Sequence, residues 1–387
     1  MVTRANPNAV GLRDSKGDYV GTTQQIRLTV IILIACTAFA QSRPSSQGET
    51  TPKTEFVEVQ PDVKLEVLDW GGSGRNLVLL AGGGSTAHVF ESLAPKLASH
   101  YHVIGITRRG FGQSSVPQSG YDPKRLGDDV IAVLDALHIA DPVLVGHSIA
   151  GEELSAVSTY DPGRAAGLVY LDAGAPFALY NPKHGDYTPA LAEIKDDLSG
   201  LQKNPFDDGL ISKTLTDMAL FQANLVELRG EVEGAAPPSP RASDLASFAA
   251  YQNYMKGYYG GIIPEAEVRQ LHRIGEDGSV GEFLGHGDAS RSIMLEEQRF
   301  RSIDTPLLAI FSYPSAPYPS QTSDPAKLAA YRASETSREE AQFAIFREQP
   351  HAKVVVIPNA THFIFLSREQ EVISQISDFV NSLSAKP

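Results

Sequence analysis

Residues 143–151, with the sequence VLVGHSIAG, join a short apolar strand to a helix-forming stretch through small residues. Gly146, Ala150 and Gly151 surround Ser148, and such neighbours permit a sharp strand-to-helix turn that lifts a side chain out of the fold. The N-terminus of the following helix offers backbone N–H groups to a developing negative charge. The pentapeptide GHSIA (146–150) alone is a weak signal of a nucleophile, because a serine that caps a helix after a buried strand gives a similar pattern.

The sequence on either side of this turn strengthens the interpretation. Residues 126–138 carry apolar residues at helical spacing, and residues 167–171 form another short apolar run. Helix and strand patterns thus alternate around Ser148, which predicts βαβ units and an α/β fold with a parallel sheet. Further strands are predicted at 54–59, 63–70, 76–81, 101–106, 306–311 and 353–357, with a closing amphipathic helix at 370–383.

The N-terminal segment resembles an export signal. Arg27 precedes an apolar run that continues to Ala38-Phe39-Ala40, which resembles an A-x-A cleavage site before Gln41. The run is too short to span a bilayer comfortably, so we expect a periplasmic or secreted protein with no stable membrane insertion after cleavage. Cys36, the single cysteine, leaves open a lipoprotein anchored through that residue.

The remaining organisation follows from changes in pattern along the chain. Residues 41–53 are rich in Ser, Pro, Thr and Gln and indicate a flexible linker. The alternation of strand and helix patterns stops between residues 174 and about 301. Helical patterns there predict a cap inserted between two parts of the core. The expected domains are a signal peptide (1–40), a linker (41–53), an α/β core in two parts (54–173 and 302–387) and a helical cap (174–301).

Charge and composition exclude several classes of protein. The formal net charge is −13 and the basic residues are not clustered, so we expect no nucleic-acid partner. The histidines are scattered without H-E-x-x-H spacing, and the glycine run 82–84 lacks a following Gly-Lys-Ser/Thr. We therefore expect neither a metal nor a cofactor.

A serine hydroxyl becomes a useful nucleophile only beside a general base, which a carboxylate orients. His362 follows the last predicted strand through a short loop and is the candidate base. Two acids are candidates: Asp172, directly after the strand at 167–171, and Asp324, in a loop after the next strand. We favour Asp172, because that later loop has no carboxylate close to the strand end.

An oxyanion intermediate needs two backbone N–H donors. Ile149, which follows the candidate nucleophile, is one candidate. The glycine run after the strand at 76–81 offers the other, Gly83, because glycine lets the backbone approach a reacting carbonyl closely.

At this point the chain resembles the α/β-hydrolase superfamily, in its serine esterase and proline iminopeptidase-like group. The resemblance runs from about Phe56 to Leu383 and implies a mostly parallel sheet flanked by helices, with a helical cap. Ala81 and Thr107 stand where the family usually has histidine and aspartate. The motifs that carry it are LLAGGG (79–84), RGFGQS (109–114), GHSIAG (146–151), YLDA (170–173) and THF (361–363).

The leading hypothesis is an exported, cofactor-free serine hydrolase that cleaves a small-molecule carboxylic ester through an acyl-enzyme. Alternatives are an aminopeptidase or amidase on the same triad, with Glu152 and Glu153 as candidates for binding an amine, and a non-catalytic small-molecule-binding homologue. In the insertion, aromatic residues are candidates for lining the substrate pocket, although packing is their commoner role: Tyr251, Tyr254 and Tyr258.

Overall fold

The computed structural model describes residues 51–174, 177–180, 191–235, 239–285, 289–290, 292–293, 300–315 and 325–383. The expected signal peptide, Cys36, most of the linker and Asp324 lie outside these ranges. The described strands are β1 (Lys53–Gln60), β2 (Val63–Gly71), β3 (Asn76–Leu80), β4 (His102–Ile106), β5 (Val143–His147), β6 (Gly167–Leu171), β7 (His272–Ile274), β8 (Val280–Phe283), β9 (Leu307–Ser312) and β10 (Ala352–Ile357).

Eight of these strands form one sheet in the order β1-β2-β4-β3-β5-β6-β9-β10. Six neighbouring strands run parallel to one another: β4, β3, β5, β6, β9 and β10. In contrast, β2 pairs antiparallel with both β1 and β4. Side chains alternate across the sheet: Leu77 and Leu79 enter one buried apolar cluster, and Val78 and Leu80 enter another on the opposite face. Burial on both faces explains the continuous apolar runs of the sequence.

Helices cover both faces of the sheet. The described helices are α1 (Ala94–Leu97), α2 (Pro123–Ala136), α3 (Gly151–Tyr160), α4 (Leu191–Lys203), α5 (Asp208–Ala235), α6 (Phe248–Tyr259), α7 (Glu265–Leu271), α8 (Pro325–Arg347), α9 (Ile364–Ser367) and α10 (Glu369–Ser382). Residues of α1, α6, α7 and α10 pack in the first cluster, and residues of α2, α3 and α8 in the second. Among the described residues, no helix is long and apolar enough to cross a membrane.

The described part of the segment between β6 and β9 contains helices α4 to α7 and also the small antiparallel hairpin β7–β8, which was not predicted. The long helix α8, between β9 and β10, was not predicted. Its described side chains Phe343 and Phe346 are buried, whereas Arg332 and Glu340 are exposed. The sequence of this helix is largely polar, and its buried phenylalanines lie near its C-terminal end. Its hydrophobic pattern therefore did not predict a helix.

Candidate active site

Ser148 lies where β5 passes through a 3-10 turn (Ser148–Ala150) into α3. Its φ of 55° is in the left-handed region, a conformation that a non-glycine residue adopts only when its surroundings impose it. The turn tolerates no larger neighbours: a Cβ on Gly146 would lie 3.0 Å from the side chain of Leu154, and one on Gly151 would lie 2.9 Å from Ala178 Cβ. Close packing therefore explains the small residues of this segment.

His362 follows β10 in the loop before α9. Its Nε2 lies 2.9 Å from Ser148 Oγ, although the two residues are 214 positions apart in sequence. Its Nδ1 lies 2.8 Å from Asp172 Oδ2. Because a carboxylate accepts the Nδ1–H, Nε2 carries the lone pair and can take the hydroxyl proton of Ser148.

Asp172 directly follows β6, and its own φ of 47° is also left-handed. Besides His362, it accepts hydrogen bonds from the backbone N–H of Ser312 at 2.8 Å and from the Ser312 hydroxyl at 2.9 Å. These bonds fix the carboxylate against the end of the neighbouring strand. The structure thus brings Ser148, His362 and Asp172 into one chain of contacts, while Asp324 lies outside the described residues.

Sequence reasoning missed Ser312. It is the last residue of β9, whose residue Ile310 pairs with Leu171 at the end of β6. A polar residue at the end of the strand next to a candidate acid is the signal that could have identified it.

The glycine loop after β3 lies against the serine turn. A Cβ on Gly83 would lie 3.6 Å from Ile149 Cγ2, an ordinary contact, whereas one on Gly82 would lie 3.1 Å from Ser148 Cβ. The structure therefore brings the two predicted oxyanion donors, Gly83 and Ile149, side by side next to Ser148.

Two unusual residues of the family motifs have partners in the structure. The Thr107 hydroxyl donates to the buried carboxylate of Glu66 at 2.8 Å and accepts from the backbone N–H of Ala87 at 3.1 Å. A carboxylate from β2 thus reaches the loop where the family usually supplies an aspartate. The Ala81 carbonyl oxygen accepts from the Arg108 guanidinium at 2.9 Å.

The two glutamates proposed for amine binding are both buried. Glu153 pairs with Arg108, whose Nε lies 2.6 Å from Glu153 Oε1. This ion pair occupies the Glu153 carboxylate, and the burial of Glu152 removes it from the surface of α3. Neither position favours a site for a substrate amine.

The three candidate tyrosines lie on α6 in different surroundings. Tyr251 is only 7% exposed, and its hydroxyl lies 2.8 Å from His272 Nε2, so it packs in the core. Tyr254 lies beside it, with ring centroids 6.0 Å apart. Tyr258 is half-buried, and its ring centroid lies 5.6 Å from that of Phe363, the residue after His362. Tyr258 thus contacts the residue that follows His362 in sequence.

Comparison with known proteins agrees with this architecture. The chain is 31% identical over 129 residues to the AB hydrolase superfamily protein YisY of Bacillus subtilis (strain 168), covering 33% of this chain and 48% of the relative. It is 33% identical over 124 residues to a non-heme chloroperoxidase of Streptomyces lividans, covering 31% of this chain and 45% of that relative. In both cases the matched stretch spans less than half of the relative's length.

Solved structures match over a larger part of the chain. The structure of E-2-(acetamidomethylene)succinate hydrolase has a TM-score of 0.52 and 19% identity, covering 86% of this chain and all of that one. An esterase from Exiguobacterium antarcticum has a TM-score of 0.52 and 17% identity, covering 85% and 100%. At these identities the likeness concerns the fold, and it confirms the predicted fold class. The sequence profile of the alpha/beta hydrolase family matches residues 77–375, and the chain belongs to that family.

Proposed function

We propose that this protein is a serine hydrolase that cleaves carboxylic esters. The observation that supports this proposal is the continuous hydrogen-bonded chain from Ser148 Oγ through His362 to Asp172, with contacts of 2.9 and 2.8 Å. These distances lie within the range needed for proton transfer between a nucleophile and its base.

In the proposed reaction, Ser148 Oγ attacks the ester carbonyl carbon while its proton passes to His362 Nε2. Asp172 stabilises the resulting imidazolium, and backbone N–H groups of Gly83 and Ile149 stabilise the oxyanion. Collapse of the tetrahedral intermediate expels the alcohol, which takes the proton from His362 and leaves an acyl-Ser148. Water then attacks with His362 as base, releasing the acid and restoring the hydroxyl.

The surroundings of the buried glutamates favour ester substrates over the amine substrates of an aminopeptidase, whose ammonium group a carboxylate would have to bind. An aminopeptidase would need an acidic group free to bind a substrate ammonium, and Glu153 is instead paired with Arg108. A purely binding homologue would have no need for the strained φ of Ser148 or for the bonds that orient Asp172. We therefore place carboxylic esters first among substrate classes.

Labelling and turnover together test the proposal. A fluorophosphonate should label the wild type once, on Ser148, and chromogenic esters should be hydrolysed faster than amino-acid anilides. Ser148→Ala should lose both label and turnover, and Asp172→Asn should lower kcat by about 10⁴-fold while the protein stays folded. Persistent labelling of Ser148→Ala, or anilide hydrolysis exceeding ester hydrolysis, would contradict it.

A further inference from the structure

A buried carboxylate joins the cap segment to the glycine loop. Glu267 lies on α7 and is fully buried. Its Oε1 accepts from the backbone N–H of Thr86 at 3.0 Å, and its Oε2 accepts from the Thr86 hydroxyl. The Ser85 side chain also donates to it. Buried carboxylates are rare unless their hydrogen bonds are satisfied, and these bonds all go to one loop.

Helix α7 is seated firmly on the body of the protein. Its residues Val268 and Leu271 are buried, and Val268 belongs to the apolar cluster on the same face of the sheet as α6. Gln270 of α7 also approaches His88, with Nε2 atoms 3.3 Å apart. The Glu267 carboxylate is therefore held by a rigid support.

Thr86 is separated from Gly83 by only two residues, in the sequence Gly82-Gly83-Gly84-Ser85-Thr86. A turn between Ser85 N–H and Gly82 O, at 3.3 Å, closes this short loop. Glycines at its centre leave it with little stiffness of its own. An anchor at Thr86 thus limits where the Gly83 backbone can lie.

We propose that Glu267 is a positioning residue, whose bonds to Thr86 fix the glycine loop so that the Gly83 N–H faces the reacting carbonyl oxygen. This inference rests on the proposed ester hydrolysis at Ser148. Hydrogen bonds to an ionised carboxylate are about twice as strong as neutral ones, so the charged form of Glu267 holds the loop more tightly.

Burial and the surrounding charged groups set the protonation state of the Glu267 carboxyl group. Burial raises the pKa of Glu267 from 4.5 to about 7, against the lowering effect of the Thr86 bonds and of nearby His88. The other titratable groups around it are Tyr259 on α6, the His88 partners Glu66 and Glu91, and the exposed pair Glu265 and Arg269 on its own helix.

Because the folded pKa lies above the unfolded one, the stability that the proton contributes is fully present below pH 4.5. It is lost as the pH rises through about 7. Ionisation of the Glu267 carboxyl group therefore lowers the stability of the folded protein. Wild type should lose stability relative to Glu267→Gln over this range, because glutamine does not titrate.

The test measures ester kcat and KM per site titrated with fluorophosphonate, and the affinity for phenylboronic acid, which forms a tetrahedral adduct with an attacking serine. Glu267→Gln removes the charge at nearly constant volume, and Thr86→Val removes the donating hydroxyl. Thr86→Ser is the conservative variant that keeps the hydroxyl. Glu265→Gln, on the exposed side of α7, is the matched control.

In Glu267→Gln and Thr86→Val, kcat should fall about tenfold at unchanged KM, and boronate affinity should fall by the same factor. Thr86→Ser and Glu265→Gln should stay within about twofold, and the double variant should be no worse than either single one. Unchanged kcat per titrated site and unchanged boronate affinity in Glu267→Gln would overturn this role while leaving Ser148 as nucleophile. Absence of phosphonate labelling in wild type would overturn both proposals.

Discussion

The Nε2–H of His147 donates to the backbone carbonyl oxygen of His362 at 2.9 Å. The residue before the proposed nucleophile thus holds the loop that carries the proposed base. His147 is fully buried, and its ring packs against those of His362 and Phe363 with centroids 4.7 and 5.0 Å away. Burial, together with the neighbouring His362, holds the pKa of His147 well below its ordinary value. The His147 imidazole is therefore neutral at neutral pH and donates its Nε2–H.

Removing that donor should lower turnover more than stability. We expect His147→Phe, which suits the surrounding aromatic rings, to lower kcat by about tenfold or more, because the His362 carbonyl loses its partner and the imidazole shifts. His147→Gln, whose amide can reach the same carbonyl, should keep most activity. Steady-state kinetics per titrated site decide this, and equal kcat values in the two variants would show that only packing matters.

The same imidazole should make stability depend on pH. Because the folded pKa of His147 is depressed, its contribution is fully present above the unfolded value of 6.5 and is lost as the pH falls through the folded value. The acid side of a urea-unfolding profile should therefore flatten in His147→Phe. Parallel profiles of the variant and the wild type would contradict a buried neutral histidine.

Adjacent glycines offer a matched pair of substitutions. A Cβ on Gly82 would lie 2.6 Å from His147 Nδ1 and 3.1 Å from Ser148 Cβ, whereas one on Gly83 makes an ordinary 3.6 Å contact with Ile149. We expect Gly82→Ala to lower kcat by about 10²-fold, because the serine turn must shift. Gly83→Ala should stay within about threefold, since alanine keeps the backbone N–H. Kinetic constants of both folded variants provide the test, and a larger loss in Gly83→Ala would contradict it.

Strand ends made much of this site predictable. Ser148, Asp172 and His362 each follow a predicted parallel strand, so their meeting at one sheet edge could be inferred from the sequence. The fold class followed from the same alternation. Ser312 carries only the weak signal of a polar residue at a strand end. Glu267 could not be inferred, because it and Thr86 are 181 residues apart and nothing local marks their contact. The hairpin β7–β8 is too short to show a clear period.

Ser312 should matter less than the carboxylate it supports. Its backbone N–H still reaches Asp172 Oδ1 at 2.8 Å when the side chain is removed. Ser312→Ala should therefore lower kcat by about tenfold or less, compared with about 10⁴-fold for Asp172→Asn. Steady-state rates of the two variants at one pH measure the ratio. A loss in Ser312→Ala as large as that in Asp172→Asn would mean that the hydroxyl does more than orient the acid.

His88 should dominate an alkaline loss of stability. Burial alone would lower its pKa, but hydrogen bonds to Glu66 and Glu91 outweigh that effect and raise it from 6.5 to about 9. The contribution of the ion pairs is thus fully present below pH 6.5 and is lost as the pH rises through about 9. At 1.36 kcal/mol per unit, this amounts to about 3 kcal/mol at most.

Urea unfolding at pH 6 and pH 9.5 measures this difference in wild type and His88→Gln. Wild type should lose more stability than the variant between the two pH values, because glutamine does not titrate. An equal loss in both proteins would assign the alkaline transition to another group.

The chain-length preference of the enzyme should depend on Tyr258 and not on Tyr251. Tyr258 lies on α6 beside Phe363, so removing its ring opens space next to the residue that follows His362. Tyr251 is buried and bonded to His272, so Tyr251→Phe should cost about 1 kcal/mol of stability and leave the pocket unchanged. We expect Tyr258→Ala to shift kcat/KM toward longer acyl chains in a graded series of chromogenic esters. Both variants should react with a small phosphonate as wild type does, because Ser148 itself is unaltered. A changed chain-length profile in Tyr251→Phe, or an unchanged one in Tyr258→Ala, would place the acyl pocket on another side of His362.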